Sequence, residues 1–525
     1  MSHPIEIPDR SLIELLAEST QAFANHPAII FNGKTMNFAT FGERSDRLAA
    51  GLRDMGIADR DRVGLYCGNS DAFALAYFGV VKAGATVVPI NLLLNPKEIA
   101  YILNDSGARA LIYYEAFADA VTAIRATVAD LSACVAIGEQ KSRAADRSWA
   151  ELLATPGPPP DVRVDPATDV AVIIYTSGTT GQPKGAMLTH RNLVANSISI
   201  KTAMQLEPGK DIMLVVLPMF HAFAATVSMI FPLLHGCTFV PLPKFDPGLV
   251  AETIAAHAVT IFTAVPSMYN VLLRLPDDAV PKFGSLKYAV SGGAALPIEI
   301  MNRFEERFGI KIYEGDGPTE CSPVTCVNPI GGRRKAGSVG KAVPFVEMKI
   351  MNEDGHELPT GEVGEICVRG PNVMKGYWQR PDETRESFFG DWFRTGDLGT
   401  EDEEGYFFIV DRKKDMIIVN GMNVYPRVVE EIMYRHDDVA EAAVVGEPSE
   451  LHGEVPVAFV ALKENREITS REIRSFCQEN LGRHEVPRKV FFLPELPKNA
   501  AGKILKRELR KHGELERGVD SREQE

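Results

Sequence analysis

No stretch of this sequence stays apolar for the length of a bilayer span, and its N-terminus has no basic segment followed by an apolar core. Both absences lead to the expectation of a cytoplasmic protein without a transmembrane segment. There is no C-x-x-C. The seven cysteines, at 67, 134, 237, 321, 326, 367 and 477, are odd in number and scattered, so neither a disulfide framework nor a zinc site is indicated, and Cys321 and Cys326 are expected simply to pack. Positive charge is short as well. With 56 basic against 70 acidic residues the net charge is -14, which argues against nonspecific attraction to nucleic acid or anionic lipid, so any phosphate site must be local. No internal repeat is present. What remains is an ordinary globular composition, 45% hydrophobic and 24% charged over 525 residues, too long for one core and suggesting about three or four units.

The pattern along the chain is that of an α/β protein. From Arg62, apolar strands (63–66, 86–90, 108–113) alternate with helical runs (71–82, 98–104), which implies parallel sheets covered by helices. A Pro-rich break at Pro156 to Pro160 reads as a surface connection. The alternation resumes at 212–217, with a helix near 224–234 and strands at 238–241 and 260–264. Between Lys349 and Phe408 the turns Glu353-Asp354-Gly355 and Glu403-Glu404-Gly405 separate short strands, as in a small β unit. Beyond Asp411 two helix candidates (427–435 and 470–480) and two strands (441–445 and 457–462) suggest a compact lid of about a hundred residues. Residues 1–411 and 412–525 are therefore expected to form a large N-terminal domain of stacked α/β sheets with a small β subdomain and a small C-terminal α+β domain. The polar tail from His512 is expected to fray.

The most telling segment is Tyr175 to His190, YTSGTTGQPKGAMLTH. Thr176, Ser177, Thr179 and Thr180 alternate with Gly178 and Gly181, so hydroxyl and backbone donors can converge on anionic oxygens with no Cβ in the way. Lys184 could reach the same phosphates. Pro183 before the lysine and Gly185 after it break the G-x-x-x-x-G-K-[ST] spacing, so a P-loop kinase or ATPase loses ground. A solvated turn between strands is the bland alternative, but few plain turns carry this density of hydroxyls with a Pro-Lys-Gly.

Other motifs are ambiguous taken singly. His221, in PMFHAF, reads as a packed core histidine as readily as a catalyst. In Ser291-Gly292-Gly293-Ala294-Ala295 the missing side chains permit either close approach of a ligand or tight packing. Gly315-Asp316-Gly317-Pro318-Thr319-Glu320 ends in a hydroxyl and a carboxylate suited to phosphate and Mg²⁺, or is a turn with a solvated Glu. Thr395-Gly396-Asp397 offers an acceptor to ribose hydroxyls, Asp411-Arg412-Lys413-Lys414-Asp415 crosses the expected domain boundary, and Lys503 closes Pro497-Lys498-Asn499-Ala500-Ala501-Gly502-Lys503.

In order and spacing, YTSGTTGQPKG, PMFHAF, SGGAAL, GDGPTE, RTGD, DRKKD, GMNVYP and PKNAAGK together resemble the adenylate-forming superfamily of acyl-CoA synthetases, firefly luciferase-like enzymes and nonribosomal adenylation domains. The resemblance runs from about Leu12 to Arg510 and is strongest to fatty acyl-CoA ligases. It implies an AMP-forming enzyme that uses ATP, Mg²⁺ and coenzyme A to turn a carboxylic acid, with a lean toward medium or long chains, into an acyl-adenylate and then a thioester.

The resemblance also implies roles. The loop from Thr176 to Lys184 would hold the β- and γ-phosphates, Thr319 the α-phosphate, and Glu320, with Thr176 beside it, the Mg²⁺. Asp397 and Arg412 would bind ribose, and Lys503 would bridge the acyl carboxylate and the α-phosphate. His221 would stand beside the carboxylate without acting as a base. Gly293, Ala294, Gly315 and Gly317 would line the nucleotide and acyl sites, with the lid hinged near Lys414 and its face from Gly421 to Tyr425 turned to CoA in a second orientation. One departure stands out: Asp316 replaces the Tyr that relatives stack on adenine. Alternatives are an acyl-AMP ligase serving a carrier protein, a ligase for aryl or other acids, a luciferase-like oxygenase, and a silent acyl sensor. The last is disfavoured by the joint presence of Lys184, Glu320, Asp397, Arg412 and Lys503. A monomer or homodimer, and peripheral membrane contact, stay open.

Overall fold

The computed structural model describes residues 6–138, 142–156, 159–176, 182–499 and 502–511. Part of the Pro-rich break, the loop residues Ser177, Gly178, Thr179, Thr180 and Gly181, the pair Ala500-Ala501 and the tail from His512 lie outside the described residues.

Two large, mostly parallel sheets form the N-terminal domain. One has eight strands, with Thr86–Pro89, Arg62–Tyr66, Ala108–Tyr114 and Ala133–Ile137 side by side and parallel, and with the hairpin Val170–Thr176/Lys184–Thr189 flanking them. The other has nine strands around a parallel centre of Ile312–Asp316, Tyr288–Ser291, Ile261–Ala264, Ile212–Val215 and Thr238–Pro241. Central strands such as Thr86–Pro89, Ile261–Ala264 and Tyr288–Ser291 are buried along their whole length, as befits sheets covered on both faces.

The helix Asp71–Lys82 is buried nearly all round and packs on strands of both sheets, so it lies at the heart of the domain. Ser70 caps its start by accepting from the backbone of Phe73 at 3.1 Å. The next helix, Pro96–Ser106, carries a capping box from Asn95 to Glu98, a proline at its first turn and Gly107 at φ +62° just past its end. Local signals and burial agree along this stretch, and the observed elements match the sequence pattern closely. One connection has no sequence signature: the N-terminal hairpin Pro27–Phe31/Lys34–Asn37 joins the second sheet, beside Thr238–Pro241, far from its chain neighbours.

The expected β unit is a five-stranded sheet built from Glu347–Met351, Gly364–Arg369, Phe388–Phe389, Trp392–Glu401 and Phe407–Arg412. After a turn at residues 413–415 another five-stranded sheet begins at Ile417–Val419, covered by helices Pro426–Tyr434 and Ser470–Asn480 around its own core of Val424, Val429, Met433, Val444, Val460 and Ile473. All seven cysteines are buried and free.

Candidate active site

The central strands of the nine-stranded sheet run parallel and end at one edge, where Val215 leads into the His221 segment, Ala264 into Val265, Ser291 into Gly292-Gly293, and Glu314 into Gly315-Asp316-Gly317. That edge is where α/β sheets place ligands. Glycine is required here. A Cβ on Gly317 would fall 1.6 Å from the carbonyl oxygen of Pro323 and one on Gly315 would fall 2.9 Å from that of Cys326, because the chain doubles back and pairs Cys326–Val327 against Gly315 and Asp316. The short 3-10 turn Thr319–Cys321 then swings Glu320 toward the first sheet. There its Oε1 accepts from Thr176 Oγ1 at 3.2 Å and from the Tyr377 hydroxyl at 3.0 Å.

The Gly- and Thr-rich segment begins at a hairpin in which Thr176 lies opposite Lys184. Its frame is clamped from outside. Asp105, at the end of a helix, accepts from the Tyr175 hydroxyl at 2.7 Å and from Arg380 at 2.6 Å, and its carbonyl accepts from the Trp378 indole at 3.0 Å. Lys184 pairs with Glu383 at 3.0 Å and lies over the ring of Tyr377. Neither Asp105, Tyr377 nor Glu383 is evident from sequence patterning. Tyr377 belongs to a strand of two residues and Glu383 to a helix of six, too short to show periodicity.

On the opposite side, strands Trp392–Glu401 and Phe407–Arg412 set Asp397 across from Arg412, and Arg412 Nε lies 3.1 Å from Asp397 Oδ1. Asp316 is close enough to feel both: burial first, then the Asp397 charge, pushes its carboxyl up to about 6, while Arg412 and Lys503 pull the other way. Lys503 completes the group from the C-terminal domain. Burial, then the Arg412 charge, lowers its ammonium to about 8, with Asp397 and Asp316 opposing. Its loop is held by Asn499, whose Oδ1 accepts from the Lys503 backbone at 2.9 Å, and by Ser267, whose hydroxyl donates to the Gly502 carbonyl at 3.0 Å.

His221 faces the same space. The loop before it is pinned by Asn69, which donates to the Leu217 carbonyl at 2.9 Å and accepts from the Met219 amide at 2.7 Å. His221 is exposed to the cavity it lines, with protein crowded around it; the partial loss of solvent there, then the Lys503 charge, lowers its pKa and favours the neutral imidazole. After it the chain runs into a π-helical stretch, Ala224–Ile230. His221, Phe223 and Val227 share a pocket with Gly292, Gly293, Gly315, Asp316, Gly317 and Thr319, whose far wall is Ile200, Ala203, Met204, Val324 and Val327. Ala294 follows Gly293 at the rim, half-buried.

Most of the expected residues thus converge, from Thr176 and Glu320 through Thr319 and Asp316 to Asp397, Arg412 and Lys503. Lys414 is exposed in the turn at residues 413–415, where its charge still reaches Lys503, while Gly421 stands apart at the exposed Asn420-Gly421 hairpin tip, beside His452. Among the described residues no group of three or more His, Cys, Asp or Glu could hold a metal ion. The single carboxylate of Glu320 suits Mg²⁺ only in the form this ion usually takes in nucleotide sites, with phosphate oxygens and water as its other ligands.

The domains meet through further contacts that the sequence motifs do not include. Arg427 Nη2 lies 3.9 Å from Glu314 Oε1, which also accepts from the Leu296 amide at 2.9 Å, and Asn270 donates to the Ala440 carbonyl at 3.1 Å. Burial pushes the Glu314 carboxyl up from 4.5 to about 7 against the pull of Arg427. Between these values the folded chain keeps a proton that the unfolded chain releases. This group therefore lowers stability as pH rises through that window and has no further effect above it. In Glu314→Gln that part of the pH dependence should vanish, seen as a smaller difference in Tm between about pH 5 and pH 8 than in the wild type; an unchanged difference would count against it.

Comparison with known proteins gives the same picture. Residues 16–378 match the AMP-binding enzyme family and residues 428–503 its C-terminal domain. A long-chain-fatty-acid–CoA ligase of Salmonella typhimurium is 38% identical over 97% of this chain and 96% of its own. A feruloyl-CoA synthase of Amycolatopsis is 37% identical over 92% and 95%. ATP-bound MatB from Rhodopseudomonas palustris superposes with a TM-score of 0.88 at 31% identity, covering 96% of this chain and 99% of MatB, whereas apo MatB gives 0.79. Among the described residues no helix is long and apolar enough to cross a membrane. The chain belongs to the AMP-binding enzyme family and is an AMP-forming acid–CoA ligase.

Proposed function

We propose that this ligase activates a medium- or long-chain fatty acid with ATP and Mg²⁺ and transfers the acyl group to free CoA. The observation that carries the substrate class is the pocket beside Thr319. Past His221 and Asp316, which lie at its phosphate end, the walls are apolar or small and include Ile200, Ala203, Met204, Val227, Val324 and Val327. Such a lining suits a hydrocarbon chain and gives no counter-charge to a second carboxylate. The fatty-acid ligase relative supports the same class.

In this reading the carboxylate lies between His221 and Lys503 and attacks the α-phosphate of ATP, releasing pyrophosphate. Two anions must approach each other, so the residues nearby serve mainly to offset charge and fix an in-line geometry. Lys503 spans carboxylate and α-phosphate, and Thr319 donates to the latter. The segment from Thr176 to Lys184 holds the leaving pyrophosphate; its residues 177–181 lie outside the described residues. Asp397 and Arg412 hold the ribose, and the Asp316 carboxyl faces the base where relatives place a ring. Bound Mg²⁺, held by Glu320 with Thr176 beside it, would neutralise phosphate charge.

The neutral His221 imidazole can donate to the carboxylate without removing a proton. CoA then displaces AMP after the C-terminal domain has turned about Lys414, bringing Gly421 to Tyr425 toward the thiol. The better match to ATP-bound than to apo MatB supports an arrangement of domains suited to the first step.

Pyrophosphate release measured with saturated acids from C2 to C18 and with aromatic acids, with and without CoA, tests the assignment. Highest kcat/KM among the longer saturated acids, with CoA-thioester as product, is expected. A preference for cinnamic or benzoic acids would replace the fatty-acid reading with an aryl one, and release of pyrophosphate without thioester would point to a carrier protein as acceptor.

A further inference from the structure

The Lys184 ammonium is already engaged. Its Nζ lies 3.0 Å from Oε2 of Glu383 and 5.4 Å from the centroid of the Tyr377 ring, with the lysine side chain 15% exposed and that of Glu383 33%. Tyr377 touches the other half of the phosphate machinery as well, since its hydroxyl donates to Glu320 Oε1 at 3.0 Å. Glu383 has a second cation at hand: its Oε1 is 4.0 Å from Arg380 Nε, and Arg380 is itself anchored to Asp105 at 2.6 Å. One carboxylate therefore stands between two positive groups, one fixed to the scaffold and one at the exit of the phosphate loop.

A half-buried ammonium with no counter-charge would be costly to keep in place. A partly exposed carboxylate gives it a partner at little strength, a factor of about two to five in an equilibrium constant for such pairs. A polyphosphate, with several charges and more acceptor oxygens, outcompetes that partner easily. Once the lysine leaves, Glu383 is not stranded, because Arg380 remains beside it.

We propose that Glu383 is a stand-in for the β- and γ-phosphates of ATP, holding Lys184 over Tyr377 in position and yielding it by exchange of partners when the triphosphate arrives. The same exchange run backwards helps release pyrophosphate, since the carboxylate recaptures the ammonium as the product departs. Glu383 is thus a positioning residue that weakens nucleotide affinity in return for a preset lysine. The proposal rests on the reading of Thr176 to Lys184 as the phosphate loop.

Calorimetric titration of the full-length protein with Mg·ATP and with AMP, for wild type, Glu383→Gln, Lys184→Ala and the double variant, tests it. Glu383→Gln should bind Mg·ATP about two- to fivefold more tightly, the size of a partly exposed ion pair, and AMP with unchanged affinity. In the Lys184→Ala background the same change should have no effect. Unchanged AMP binding also shows that the variants are folded. Weaker or unchanged Mg·ATP binding in Glu383→Gln, an equal shift for AMP, or an effect that persists without Lys184 would overturn the stand-in role. Should Lys184→Ala itself leave Mg·ATP affinity untouched, the phosphate-loop reading fails, and the proposal with it.

Discussion

Lys503→Ala is expected to slow acyl-adenylate formation by about 10³-fold, the loss of ~4 kcal/mol seen when one preorganised donor to a developing charge is removed. The same protein should still convert supplied acyl-AMP and CoA to thioester at a rate near that of the wild type. The asymmetry follows from where Lys503 sits. It comes from the C-terminal domain, yet it shares one cluster with Asp397 and Asp316 of the N-terminal domain and with Arg412 at the end of the strand Phe407–Arg412. Burial and Arg412 lower its ammonium to about 8, so the charge is present at neutral pH and lost above that value. The kcat/KM for adenylation should accordingly decline as pH rises through about 8, a limb absent from the thioester step. Pyrophosphate exchange measures the first half-reaction and thioester formation from synthetic adenylate the second. Equal losses in both would sink the division of labour.

Gly502→Ala should produce a milder copy of the same phenotype. Gly502 has φ +78°, a conformation that costs other residues about 1 kcal/mol or more. A Cβ there would lie 2.8 Å from Ser267 Oγ and 2.9 Å from Val265 Cγ2, so the neighbours or the loop must move. The base of the loop is fixed by the Lys498–Ile504 bridge and by Lys498 on Glu441, while its tip is held by the Ser267 hydroxyl on the Gly502 carbonyl and by the Asn499 turn. Movement of Lys503 by about 1 Å is enough to cost a factor of about 10² in rate. Pyrophosphate exchange should therefore fall roughly that far while Tm shifts little, because the C-terminal domain keeps its own core. A large drop in Tm with both half-reactions reduced alike would mean that the glycine supports folding rather than the approach of the lysine.

Much of the fold is legible in the sequence. The α/β alternation from Arg62 to Ala264 came through because its strands are short and apolar and its helices carry clear caps, as at Ser70 and Asn95. Thr319, Asp397, Arg412 and Lys503 were singled out through the resemblance of their motifs, in order and spacing, to those of a family, and the fold brings all four to one region. The N-terminal hairpin at Pro27–Phe31 was not legible, since its place in the second sheet is set by a crossover with no local signature.

Asp105, Asn69 and Ser267 were missed for another reason. Each acts through hydrogen bonds to distant backbone or side-chain groups, and nothing in the surrounding sequence announces such partners. His221 shows the converse. Sequence alone could not separate a packed histidine from one facing a ligand, and in the structure the residue is exposed where it lines the pocket rather than packed in the core.

The most direct test of the chemistry is the fate of carboxylate oxygen. A fatty acid labelled with ¹⁸O in its carboxyl group, turned over with ATP and CoA, should transfer one labelled oxygen to AMP at each turnover, because the carboxylate attacks the α-phosphate and AMP leaves with that oxygen. Unlabelled AMP, or label appearing in inorganic phosphate beside ADP, would contradict an acyl-adenylate as the intermediate.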